Sequence, residues 1–191
     1  MRWLPFVVIS ILLALAVWHD VRSRRIPNKL VLAGIVSAAV LHLLFPPGAG
    51  LFVTPFGSIG LLWSLAGFGL GLALLLPMYA LRTLGAGDVK LLAMIGAFVG
   101  PYAVLGIGLC TLLAGGVLAL VVALQQGTLK RMLGNSLHLM LHSVFGALSG
   151  QSPAIEAPAA PSGKLPYAIA LAAGAVPYLV YAGMYGESIF P

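Results

Sequence analysis

The chain has 191 residues, of which 61% are hydrophobic and only 7% charged, and its formal net charge is +6. A mean hydropathy of +1.08, set against the roughly 25% charged residues of soluble domains, excludes a soluble globule. The basic excess reads as Lys and Arg retained on the cytoplasmic side of a membrane, not as a nucleic-acid footprint, and no nucleic-acid partner is expected.

No charged side chain occurs between Leu30 and Leu81, or between Leu91 and Leu129. A spanning helix needs about 20 predominantly apolar residues. The expected fold is therefore all-α: a polytopic transmembrane bundle of about six helices, plus an amphipathic helix on the cytoplasmic face, in one domain over residues 1–191. The first span runs from about Trp3 to His19, with Trp3 and Trp18 as interfacial anchors. With its single Arg2 it resembles a signal peptide. However, no small-x-small cleavage site precedes His19-Asp20 and a basic cluster follows, so a retained span is expected. Asp20 to Lys29 holds four of the ten basic residues. Pro27 and Asn28 read as the stop and N-cap that open the second span, about Leu30 to Phe45. Pro46-Pro47-Gly48 ends that span, and an uncharged loop follows. The third span covers about Ile59 to Leu81, with Gly67 and Gly71 spaced for close helix approach.

From Val89 to Leu124 there are 36 residues, interrupted by Gly100-Pro101. That is roughly 54 Å of helix, so one crossing and two crossings both fit by length. Charge bias decides for two, because nine of the ten basic residues then fall inside and only Arg2 outside. The helix opening at Asp88 is short on this reading and need not reach the far interface. Over Thr128 to Gly150, Arg131, Asn135, His138 and His142 share one helical face, as in an amphipathic surface helix. Gln151 to Gly163 is a flexible loop. Leu165 to about Tyr185 is the sixth span, bent at Pro177, and both termini lie outside.

Only four residues are acidic, and the only aspartates are Asp20 and Asp88. On this topology they are 68 positions apart yet share one membrane depth. Taken alone, Asp20 reads equally as a solvated acid paired with Arg22, Arg24 or Arg25, and Asp88 as a helix N-cap. Taken together, two carboxyl groups sharing a site cannot both ionise easily, so one stays protonated near neutral pH. The ionised member can take a proton from water while the other polarises a peptide carbonyl, which is hydrolysis without a covalent intermediate. Gly85 and Gly87, lacking Cβ, allow unusual backbone angles and close approach of an extended substrate strand. Lys90 biases the site electrostatically, although topogenic charge also accounts for it.

Gly85-x-Gly87-Asp88 followed by Val-Lys-Leu-Leu-Ala resembles the second aspartate motif of the GxGD membrane aspartyl peptidases, and more narrowly of the type IV prepilin peptidase family. Asp20-x5-Ile26-Pro27-Asn28 resembles that family's first aspartate motif. Lys164-Leu165-Pro166-Tyr167 is similar to the start of its last helix. The resemblance implies an aspartic-type endopeptidase, with catalytic roles on Asp20 and Asp88 and with Pro166 and Tyr167 shaping a substrate gate. The implied substrate is a prepilin or pilin-like precursor, whose short basic leader is removed at the cytoplasmic face of the bacterial inner membrane. Larger members carry an extra cytoplasmic region with paired cysteines and also methylate the new N-terminus. This chain, with one cysteine and no such insert, resembles the short form associated with tight-adherence (Flp-type) pili.

Other readings lead less far. Cys110 alone excludes an internal disulfide framework or cysteine zinc site. His138 and His142 have metal-ligand spacing but no acidic or thiol neighbour, so no metal or cofactor is expected. His42, near the outer end of the second span, has no role. An ion- or proton-coupled transporter would hold its acids near the midplane. A noncatalytic secretion-assembly subunit would use the two aspartates only as caps.

Overall fold

The computed structural model describes residues 3–80, 84–125, 127 and 167–185. The expected surface helix 128–150, the loop 151–163, Arg82, Lys164 and Pro166 lie outside them. By contacts the chain falls into two compact units, Met1–Gly115 with Pro166–Pro191, and Gly116–Leu165; the following concerns the first. The helices are α1 (Leu4–Ser23), α2 (Asn28–Leu44), α3 (Leu61–Ala80), α4 (Ala86–Val99), α5 (Pro101–Gln125) and α6 (Tyr167–Tyr185). Four of them, α1, α3, α5 and α6, are long and apolar enough to cross a membrane. Among the described residues there are two isolated β-bridges and no strand. The chain is an all-α membrane bundle, as its composition requires.

Large side chains point outward, among them Leu62 at 83% and Leu113 at 73% exposure. That is the expected surface where the solvent is hydrocarbon. The core is instead organised around α4. Between Leu91 and Phe98 every residue of α4 is buried, and a short helix that is apolar all round belongs in a protein interior. It reaches that position through glycines. A Cβ on Gly67 of α3 would run into the carbonyl of Gly96 and lie 2.7 Å from the backbone of Gly100, and one on Gly71 would lie 2.7–2.8 Å from Leu92 and Ala93. The spacing of Gly67 and Gly71 thus does bring two backbones together. Gly34 of α2 makes room for Met94 in the same way.

The separation of α4 from α5 falls at Gly100, whose φ of 84° is open to glycine but strained for other residues. Pro101 then occupies the first position of α5, where its missing N–H costs nothing. Between α2 and α3, the segment 45–60 folds onto itself, with Gly48 N–H to Ser58 O at 2.9 Å and Ser58 N–H to Pro46 O at 2.7 Å. It buries Leu51 and Phe52, and Phe52 stands edge-on to Phe6 of α1 at 4.9 Å.

The glycine seam yields a direct test. Gly67→Ala is expected to destabilise the bundle by about 1–3 kcal/mol through overpacking, read as a lower thermal midpoint in detergent. Gly69→Ala, where a Cβ meets nothing within 4 Å, should leave the midpoint unchanged. Equal responses from the two variants would remove the seam as the reason for glycine at 67.

Candidate active site

Four helix ends meet at one end of the bundle: the last turn of α1 and the first turns of α2, α4 and α6. Three contacts tie them. The Ala168 N–H donates to Asp20 Oδ2 at 3.2 Å, Lys90 Nζ donates to Asn28 Oδ1 at 3.0 Å, and Ile26 packs against Gly87, where a Cβ would sit 3.2 Å from its side chain.

Helix α1 continues past His19 to Ser23 and closes at Arg24, whose φ of 53° is left-handed and whose N–H returns to the Asp20 carbonyl at 2.8 Å. Asp20 is therefore in the last full turn of α1. It is 8% exposed, which corrects the reading of a solvated acid. The N-cap of α2 is Pro27, not Asn28; Asn28 is the first helical residue and its side chain is occupied by Lys90. Lys90, expected to bias the site electrostatically or to serve as topogenic charge, is also a physical link between α2 and α4.

Asp88 is likewise not an N-cap. The N-cap of α4 is Gly85, and Asp88 is the third helical residue, its Oδ2 accepting the Gly85 N–H at 3.1 Å. This is the back-bonding half of a capping box, with glycine unable to supply the other half. Gly85 has ordinary extended angles, φ −81° and ψ 151°, and Gly87 is helical, so neither needs the unusual backbone expected of it. Their use is room: a Cβ on Gly85 would stand 3.2 Å from Asp88 Oδ2, and one on Gly87 would press on Ile26.

Asp20 and Asp88 line one open pocket of about 250 Å³, together with Arg24, Arg25, Asn28, Lys90 and the Gly85–Gly87 segment. Tyr167 is half-buried against Gly115 and does not line that pocket; its neighbour Ala168 supplies the contact to Asp20. Two larger cavities, of about 750 and 840 Å³, contain no acidic side chain. Size alone would point away from the place where, among the described residues, two carboxyl groups converge. Among the described residues no three His, Cys, Asp or Glu groups are placed to hold a metal ion; His138 and His142 lie outside them.

Asp88 precedes the apolar stretch of α4, at the open end of the bundle. Burial pushes its carboxyl up to about 6, the Gly85 N–H opposes that rise, and the negative charge of Asp20 adds to it. The arrangement can hold one proton between two acids near neutrality. A carboxyl-resolved titration of Asp88 should thus show a midpoint near 6. Asp20→Asn should lower that midpoint by removing the neighbouring charge, yet leave it above the ordinary carboxylate range because burial remains. No movement in Asp20→Asn would mean that the two groups do not sense each other.

Among curated proteins and among solved structures, none matches the chain. The family model of type IV leader peptidases matches residues 7–124, which include both aspartates and the Gly85-Ala86-Gly87 segment. Over half of the chain is covered by that match, on a membrane bundle with its acids at helix ends. The chain belongs to the type IV leader peptidase family and is a membrane peptidase.

Proposed function

We propose that the chain is an aspartic-type endopeptidase that removes the short basic leader of a prepilin or pilin-like precursor at the cytoplasmic face of the bacterial inner membrane. The observation that carries this reading is one pocket lined by two carboxyl groups from α1 and α4, one of them held toward its neutral form by burial. In the singly protonated pair, burial favours the neutral form of Asp88. Asp20 removes a proton from a water molecule as that water attacks the scissile carbonyl, and Asp88 donates to the carbonyl oxygen. On collapse Asp20 passes its proton to the leaving amine, and Asp88 recovers its own from the gem-diol.

The open rim at Gly85–Gly87 leaves space for an extended strand beside Asp88. The orientation follows from the basic residues, since Arg22, Arg24, Arg25, Lys29 and Lys90 cluster at the aspartate end. Both acids lie at helix ends instead of mid-helix, which supports a peptidase over an ion-coupled transporter. No cofactor takes part.

The test is incubation of the purified protein with a pilin-like precursor and mass measurement of the product. Asp20→Asn and Asp88→Asn should each lower leader removal by about 10²–10⁴-fold while the protein remains inserted and abundant. Retained cleavage in either would count against the two-carboxylate mechanism. Because the competent form holds one proton, kcat/KM should fall as pH rises through about 6. Activity should persist in the presence of a chelator.

A further inference from the structure

The end of α4 away from the aspartates carries a difficulty created by its length. Fourteen residues rise about 21 Å, so a helix that opens at one interface ends inside a hydrocarbon layer ~30 Å thick. The carbonyls of a last helical turn have no partner within the helix, and an apolar layer supplies no water to replace one. Two other helices bring donors. The His42 Nε2 of α2 lies 3.2 Å from the Ala97 carbonyl oxygen, and the Ser64 hydroxyl of α3 donates to the same oxygen at 2.7 Å. A carbonyl only accepts, so the ring proton is on Nε2. Ser58 fixes the His42 backbone from the loop: its Oγ donates to the His42 carbonyl at 2.7 Å, accepts the Gly60 N–H at 2.9 Å and packs 3.4 Å from Nδ1. His42, Ser58 and Ser64 are 4%, 6% and 4% exposed.

We propose that these three side chains anchor α4 along its axis, and that His42 is a positioning residue for Asp88, about 13 Å away at the other end of the same helix. Apolar packing is non-directional and tolerates sliding; a hydrogen bond to one named carbonyl does not. The glycine seam with α3 sets how closely the two helices approach, and the hydrogen bonds to Ala97 add a directional tie along the axis. The proposal rests on Asp88 being one of the acid–base pair.

The test places a reporter at Val89→Cys in a Cys110→Ser background, next to Asp88 and buried in the parent protein, and follows its labelling by a water-soluble maleimide. His42→Phe keeps a ring but loses the donor. It should speed labelling by about fivefold, the effect of losing one of two hydrogen bonds to a buried carbonyl, and should lower kcat for leader removal with KM unchanged. His42→Gln, which retains an N–H, should restore both. Ser64→Ala, the milder change, should move labelling in the same direction and decides the matter if His42→Phe fails to insert. Labelling that stays at the parent rate in His42→Phe or Ser64→Ala, or a His42→Gln variant no better than His42→Phe, would overturn the anchor. Labelling needs no turnover, so intact cleavage in Asp88→Asn would defeat the catalytic reading while the anchor is still judged on its own.

Discussion

A helix shorter than the layer it occupies, and enclosed by protein from its second turn onward, must have every backbone group satisfied from within. That constraint on α4 organises the rest of the bundle. At its first turn the Gly85 N–H is met by the carboxyl of Asp88 itself, so an acid that lines the pocket also closes the helix. At its last turn the Ala97 carbonyl is met by side chains from α2 and α3. Between these ends the helix is surrounded so closely that its neighbours meet it with glycine, at Gly34, Gly67 and Gly71.

The same constraint explains how two acids are tolerated at helix ends of opposite polarity. Asp20 sits in the last turn of α1, where the helix dipole is unfavourable to an anion. The first turn of α6 compensates by directing the Ala168 N–H at it. Asp88 occupies a first turn, the favourable end, yet its carboxyl moves the other way. A rise from 3.8 to about 6 corresponds to about 3 kcal/mol in favour of the neutral acid. A helix N-terminus typically contributes about 0.3–1 kcal/mol in the opposite sense. At Asp88 burial prevails over dipole and hydrogen bond.

Much of this was legible in the order of residues. Charge-free runs bounded by basic clusters located the long helices. Gly100-Pro101 marked a break between α4 and α5, and the motif around Asp88 identified the family. What was not legible depends on distant partners. Asn28 and Asp88 both have N-cap chemistry, but Asn28 is engaged by Lys90, 62 positions away, and the actual caps are Pro27 and Gly85. His42 looked idle because nothing near it in sequence needs a donor; its acceptor lies 55 positions on. The glycines of the aspartate motif suggest backbone freedom, but their observed angles are ordinary, and only the packed structure reveals that a missing Cβ makes space for Ile26 and for a carboxylate.

Stiffness is unevenly shared between the two halves of the acid pair. At Gly67 and Gly71 the α3–α4 contact is backbone against backbone, so Asp88 rides on an unyielding block. Asp20 rides on α1, which packs on α6 where Phe6 meets Gly183 and through the Ala168 N–H, beside an open groove of about 840 Å³. The first aspartate is thus held through side-chain and N–H contacts and the second through backbone packed on backbone, which makes the second the firmer reference of the two.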